Sequence, residues 1–163
     1  MEEEVRTRYE LEMDVRFSAR YHALIEQWYL LLNDATTVLG LLLAVGVVAS
    51  VVKEYPVAAA ALAAIAAVFH ATNLVLGSVR RAQLHREQYQ RFQELDAKLS
   101  ANELTDEQGE KEYRLIEVKD PAINEAFRNL AYVENLRTHG HKDEAAKFES
   151  SMSMRERALR SAL

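Results

Sequence analysis

The hydrophobic pattern changes period along the chain and marks out four regions. Residues 1–34 open on an acidic cluster, Glu2 to Glu4. They then place Tyr9, Met13, Phe17, Arg20 or Tyr21, Leu24 and Trp28 at spacings of three or four, which predicts an amphipathic cytoplasmic helix. Between residues 35 and 79 the stripe gives way to uninterrupted apolar sequence. Ala35 to Val52 runs 18 residues without a charge, and Tyr55 to Val79 runs 25 residues without Lys, Arg, Asp or Glu. As helices these runs measure roughly 27 and 37 Å at about 1.5 Å per residue, against a hydrocarbon core of about 30 Å. Both are apolar around the whole circumference, which favours a membrane hairpin over a buried hairpin in a soluble bundle. Only Lys53 and Glu54 separate the runs, and Pro56 suits a first helical position, so spans at 35–52 and 56–79 should meet in a tight antiparallel turn.

Beyond the second run, Leu84, Tyr89, Phe92, Leu95 and Leu99 return to helical spacing with no breaker evident, so this helix should continue outward and pair with the first as a stalk. Thr105 with Gln108 forms a capping-box pattern that opens a short helix to Val118 despite Gly109. Asp120 and Pro121 read as N-cap and first residue of a further helix. That helix carries Ile123, Phe127, Leu130 and Val133 or Leu136 on one face and ends at Gly140. Residues 80–140 thus form a cytoplasmic helical region, and 141–163, with few large apolar residues, a C-terminal tail or marginal helix. The predicted class is all-α.

Composition narrows the chemistry. With no cysteine, thiolate metal sites, disulfides and cysteine nucleophiles are excluded. A net charge of -5 argues against general nucleic-acid binding, which needs a basic face. No phosphate loop, nucleophile elbow or paired metal-ligand motif is present, and His139 and His141 flank a helix-stopping glycine, so no enzyme, metal or cofactor is expected. A cleaved signal peptide is not expected either, because some thirty residues rich in charge precede the first apolar run and nothing like a cleavage site follows it before the second.

Orientation follows from the arginines. Arg16 and Arg20 precede the first run, and Arg80, Arg81, Arg86 and Arg91 follow the second, which places both termini in the cytoplasm. Arg80, Arg81 and Arg86 are also contacts for lipid headgroups. Within the runs the candidates sort by chemistry. Gly40 with Ala44, Gly46 with Ser50, and the row Ala59, Ala63, Ala67, Ala71 are small residues four apart that permit close helix packing, inside one hairpin or between copies in a homo-oligomer. His70 and Asn73 share a helix face and, with Asp34, Thr36, Thr37 and Ser50, are the polar groups that could border a pore. Their alternatives are structural: an interhelical hydrogen bond for His70, carbonyl back-bonding for the hydroxyls, and a helix cap for Asp34.

The order of these features, with Arg20 and Tyr21 on the lead helix, His85, Tyr89 and Leu95 in HREQYQRFQEL, and Asp120 and Pro121 in DPAINEAFRNLAY, resembles the SLATT family over about residues 10 to 140. The resemblance implies a two-span inner-membrane effector of bacterial conflict and antiviral systems. Such a protein oligomerises and disrupts the membrane, with a nucleotide-signalling or sensor protein as partner and no catalytic residues to carry over. The chain departs from the family pattern in its 141–163 segment and in carrying no separate sensor domain. The alternatives from the residues alone are a non-catalytic membrane scaffold of a phage or envelope that anchors a cytoplasmic partner, and a physiological ion or proton channel through His70.

Overall fold

Helix propensity and the scarcity of Gly and Pro lead to helices throughout the computed structural model, which describes residues 6–44, 54–120 and 123–163, without the side chains of 43, 44, 59, 62, 69, 72, 73, 75 and 76. Seven helices are described: α1 (Arg8–Ala44), α2 (Pro56–Leu76), α3 (Ser78–Ser100), α4 (Asp106–Glu117), α5 (Glu125–Thr138), α6 (Lys142–Ser151) and α7 (Met154–Ala162). No strand occurs among the described residues, so the all-α expectation holds. The chain divides into two compact units, Met1–Ile25 with Leu84–Leu163, and Glu26–Gln83.

The first unit has a conventional core. Leu11, Val15 and Ala19 on α1, spaced four apart, meet Phe92, Leu95 and Leu99 on α3 and Tyr113 on α4. The paired residues run in opposite senses, with Arg8 at Leu99, Arg16 at Asp96 and His22 at His85, so the helix segments are antiparallel. This core corrects the first half of the expected face of the lead helix, where Tyr9 is 62 % exposed and Met13 and Phe17 are only partly buried, while Tyr21 and Leu24 farther along are buried as expected. The stripe that contains Leu11, Val15 and His22 is the one that fills the core, rotated from the aromatic stripe. Gly109 makes this packing possible, because a Cβ there would stand 2.7 Å from Leu99 Cδ2 and 2.9 Å from Leu11 Cδ2. Ion pairs seal the rim. Arg6 binds Glu110 through Nε and Nη2 at 2.8 and 2.9 Å, lies over the Tyr113 ring, and shares Glu110 with Arg114.

Helix caps account for the next boundaries. The Thr105–Gln108 capping box is formed, and α4 ends with Val118 as its C-cap. The expected cap at Asp120 is corrected: Asn124 caps α5, its side chain accepting from the Ala126 N–H, while Pro121 lies outside the described residues. Phe127, Leu130, Val133 and Leu136 are buried as the spacing predicts, but Ile123 is 63 % exposed. Residues 141–163 form two helices packed on α5, where a tail had been the simpler expectation. Ser153 and Glu156 supply a second capping box, Asn129 donates to Glu156 at 2.6 Å, and Glu149 holds both Arg137 and Arg160.

In the second unit, α1 runs without interruption through Asp34, which is therefore an exposed mid-helix residue and not a cap. Gly77, at φ +60, separates α2 from α3, so the expected span to Val79 and its unbroken continuation are both corrected. Among the described residues no helix is long and apolar enough to cross a membrane. The expected first span, 35–52, includes residues outside that set, and several side chains of the second, 56–79, are not described.

Candidate functional site

The second unit leaves large apolar side chains on its surface. On α1, Val38, Leu41 and Leu42 are 54 to 59 % exposed; on α2, Val57 and Leu74 exceed 80 %, with Ile65 and Val68 between 52 and 64 %. Among its described side chains, the buried ones are small or polar: Thr36, Ala66, Ser78 and Ala82. The first unit differs in burying large aromatic and aliphatic side chains, Phe92, Leu95 and Leu99 among them, although it too exposes Val118, Ile123 and Met154.

The polar candidates in the runs take up separate places. His70 lies against Gly40, close enough that a Cβ at residue 40 would sit 2.6 Å from its Nε2, so the glycine leaves room for the ring. The remaining edge of His70 is exposed. Thr36 and Thr37 both donate to the Asn33 carbonyl at 2.8 Å, the back-bonding arrangement that ties a hydroxyl to its own helix. Ser50 and Gly46, as well as the side chains of Ala44, Ala59 and Asn73, lie outside the described residues. Ala63, Ala67 and Ala71 are all exposed, so this row is free for contact outside the hairpin, while Ala66, one position off it, is the buried one.

The basic group divides in the same way. Arg81 reaches back to α1, its Nη1 donating to the Tyr29 hydroxyl at 3.3 Å with the guanidinium 5.9 Å from the ring centroid. Arg80 is exposed and has no hydrogen-bond or ion-pair partner among the described residues. Arg86 belongs to the other unit and has an interaction of its own.

One buried polar cluster escaped the sequence reading. His22 is fully buried and His85 is 6 % exposed; their Nδ1 atoms are 2.9 Å apart, so one donates and the other accepts. Phe92 stacks on His22 at 5.5 Å, Tyr21 meets both imidazoles edge-on, and the Tyr21 hydroxyl accepts from the Asn124 N–H. Asp120 Oδ1 is 3.3 Å from His22 Nε2, and neither atom makes a hydrogen bond. The cluster joins α1, α3 and the segment leading to α5. Its signal in the sequence was register: His22 continues Leu11, Val15 and Ala19, and His85 precedes Phe92, Leu95 and Leu99 at helical spacing.

Also in the first unit is an open groove of about 550 Å³, lined on α1 by Met13 and Phe17, on α5 by Asn129, Tyr132 and Asn135, and on α6 by Phe148, with Tyr132 and Phe148 in edge contact. Titratable groups are shifted by pairing and burial. The Arg6 guanidinium, hydrogen-bonded to Glu110, holds that carboxyl below the usual carboxylate range, and burial pushes the Tyr113 hydroxyl up. Among the described residues no group of three or more His, Asp or Glu is placed to hold a metal. Comparison with family models, curated proteins and solved structures finds no match to this chain.

Proposed function

We propose that the protein is a non-enzymatic membrane effector, similar to the SLATT family, that assembles into homo-oligomers and permeabilises the inner membrane of a bacterial cell in a defence pathway. The observation that carries the reading is the apolar exterior of the second unit. Val57, Leu74, Val68, Leu41 and Leu42 stand more than half exposed on two neighbouring stretches of helix, and a surface of that kind needs a cover of lipid or of further copies. The charge-free runs supply the length, and Lys53 and Glu54 then face the exterior with both termini in the cytoplasm. The exposed row Ala63, Ala67, Ala71 offers the closest helix approach, and the outward edge of His70 borders any water path left between copies. The first unit receives the signal, from a nucleotide-signalling or sensor partner on the family analogy.

The test is membrane potential in a bacterial host as the chain is induced, beside a control carrying Leu42→Asp and Val68→Asp. Depolarisation that precedes growth arrest and is absent in the control is the expected result. A steady potential with intact, membrane-bound and oligomeric protein refutes permeabilisation. It leaves the scaffold reading, which the aromatic-lined groove of the first unit favours as a seat for a cytoplasmic partner.

A further inference from the structure

At the break between α2 and α3, Gly77 at φ +60 ends the apolar helix and a new helix begins at Ser78. The first turn of α3 contains Arg80 and Arg81 and no acidic residue. This arrangement opposes the helix dipole, which favours carboxylates at an N-terminus and disfavours cations. In the same turn the Ser78 hydroxyl, on a residue 2 % exposed, has no hydrogen-bond partner. Three sources of positive potential therefore coincide: the N-terminal end of α3, the Arg80 guanidinium and the Arg81 guanidinium, with no acidic residue in that turn. An anion placed there is attracted by all three.

The two arginines are held differently. Arg81 is braced by its hydrogen bond and ring contact with Tyr29. Arg80 is free to reach outward, and Val79 beside it is 46 % exposed. A braced cation, an exposed cation and an apolar neighbour, on the same stretch of chain as the exposed Leu74, match a phosphodiester whose acyl chains lie along α2.

We propose that the first turn of α3 docks the phosphate of an anionic lipid headgroup, with Arg80 as the reaching cation and Arg81 as the fixed one. The proposal rests on the membrane reading above and adds the lipid class and the residues that select it. Free phosphate lacks the acyl chains that the neighbouring apolar face would cover, so the occupant is the lipid.

The test is flotation of the detergent-diluted full chain with phosphatidylcholine vesicles, and with the same vesicles doped with phosphatidylglycerol. Tighter binding to the doped vesicles is expected. Arg80→Gln should reduce that preference by roughly fivefold, in line with one surface arginine, and Arg80→Lys should restore it. Glycerol phosphate added in solution should not compete. Unchanged helix content and unchanged binding to phosphatidylcholine control for folding of each variant. Equal flotation with both vesicles, an Arg80→Gln variant that keeps the preference, or competition by glycerol phosphate overturns the lipid assignment while leaving the membrane reading standing. Flotation with neither vesicle overturns the membrane reading itself.

Discussion

Gly109→Ala separates two opposed effects in one substitution. Gly in a helix interior costs about 1 kcal/mol relative to Ala, so propensity alone predicts a more stable protein. The packing predicts the reverse. The added methyl would stand 2.7 Å from Leu99 Cδ2 and 2.9 Å from Leu11 Cδ2. Ordinary carbon contacts lie at about 3.5–4.0 Å, so the overlap is roughly 1 Å on two sides. Both leucines have no exposed surface, and neither can turn aside without displacing Phe92, Leu95 or Val15. Overpacking of this kind costs about 1–3 kcal/mol, which leaves Gly109→Ala destabilising by about 1 kcal/mol after the propensity gain. Hydrogen exchange at the amides of Asp106–Glu117 in the detergent-solubilised full chain reads this out, with exchange roughly fivefold faster as the expected result. A double-mutant cycle with Leu99→Ala checks the cause: Leu99→Ala alone costs about 2–5 kcal/mol, and the pair should cost less than the sum because the cavity accepts the methyl. Slower exchange in Gly109→Ala, or strict additivity with Leu99→Ala, refutes the packing argument.

Other consequences follow from the same unit. Glu110 has a depressed folded pKa, so its contribution is present above the ordinary carboxylate value and fades as pH falls through the lower folded value. Glu110→Gln should cost about 1.5–3 kcal/mol at neutral pH and remove part of the acid sensitivity measured by urea unfolding at a series of pH values. Tyr113 shows the opposite sign: burial raises its pKa, so its contribution is complete below the ordinary tyrosine value and is lost as pH rises through the folded value. Tyr113→Phe should flatten the alkaline limb of the stability profile while leaving the neutral plateau within about 1 kcal/mol. Glu149→Gln, which weakens the hold on Arg137 and Arg160, should cost about 1 kcal/mol and speed proteolysis within α7 with little effect on α4.

Much of this architecture was legible because it rests on local chemistry. The Thr105 capping box, the stop at Gly140 and the buried face Phe127, Leu130, Val133, Leu136 need only neighbours in sequence. What escaped was decided by residues far apart in the chain. The lead helix offers two competing stripes, and which one is buried depends on Phe92, Leu95 and Leu99 some eighty residues later. His22 and His85 carry no local mark that they meet, since each reads alone as a polar interruption of a core stripe. Asp120 with Pro121 is a sound N-cap pattern, yet Asn124 caps α5 and Asp120 instead approaches His22. The 141–163 segment, with few large apolar residues, left a tail and a marginal helix both open, because the ion pairs that hold it form only between the packed helices. In the second unit the apolar length was plain from composition, but the break at Gly77 was not, because a glycine in an apolar helix is often tolerated.

The two units solve the problem of burial in different ways, and the difference bears on function. The first closes its core with leucine and phenylalanine and rims it with Arg6, Glu110, Arg16 and Asp96, although Val118, Ile123 and Met154 remain exposed on its surface. In the second, among the described side chains, Ala66 and Thr36 are buried, Gly40 lies against His70, and Val38, Leu41, Leu42, Val57, Ile65, Val68 and Leu74 are exposed. Small residues such as Ala66 and Gly40 let two helices approach closely, and each buries little apolar area of its own. On the proposed membrane reading, Val57, Leu74 and Leu42 take their cover from lipid or further copies. Gly40→Ala tests whether the interior matters in that setting. The methyl meets only the far end of the His70 ring, which has an exposed edge to turn into, so hairpin insertion should be unchanged and the position of the imidazole should shift. Replacing Ala63 and Ala67 with Leu leaves the interior intact and alters only the outer row, so it should leave insertion unchanged while reducing the oligomer seen by crosslinking. Loss of insertion in Gly40→Ala, or an unchanged oligomer in the double leucine variant, would mean that the close packing lies inside the hairpin and that the alanine row is ordinary lipid-facing surface.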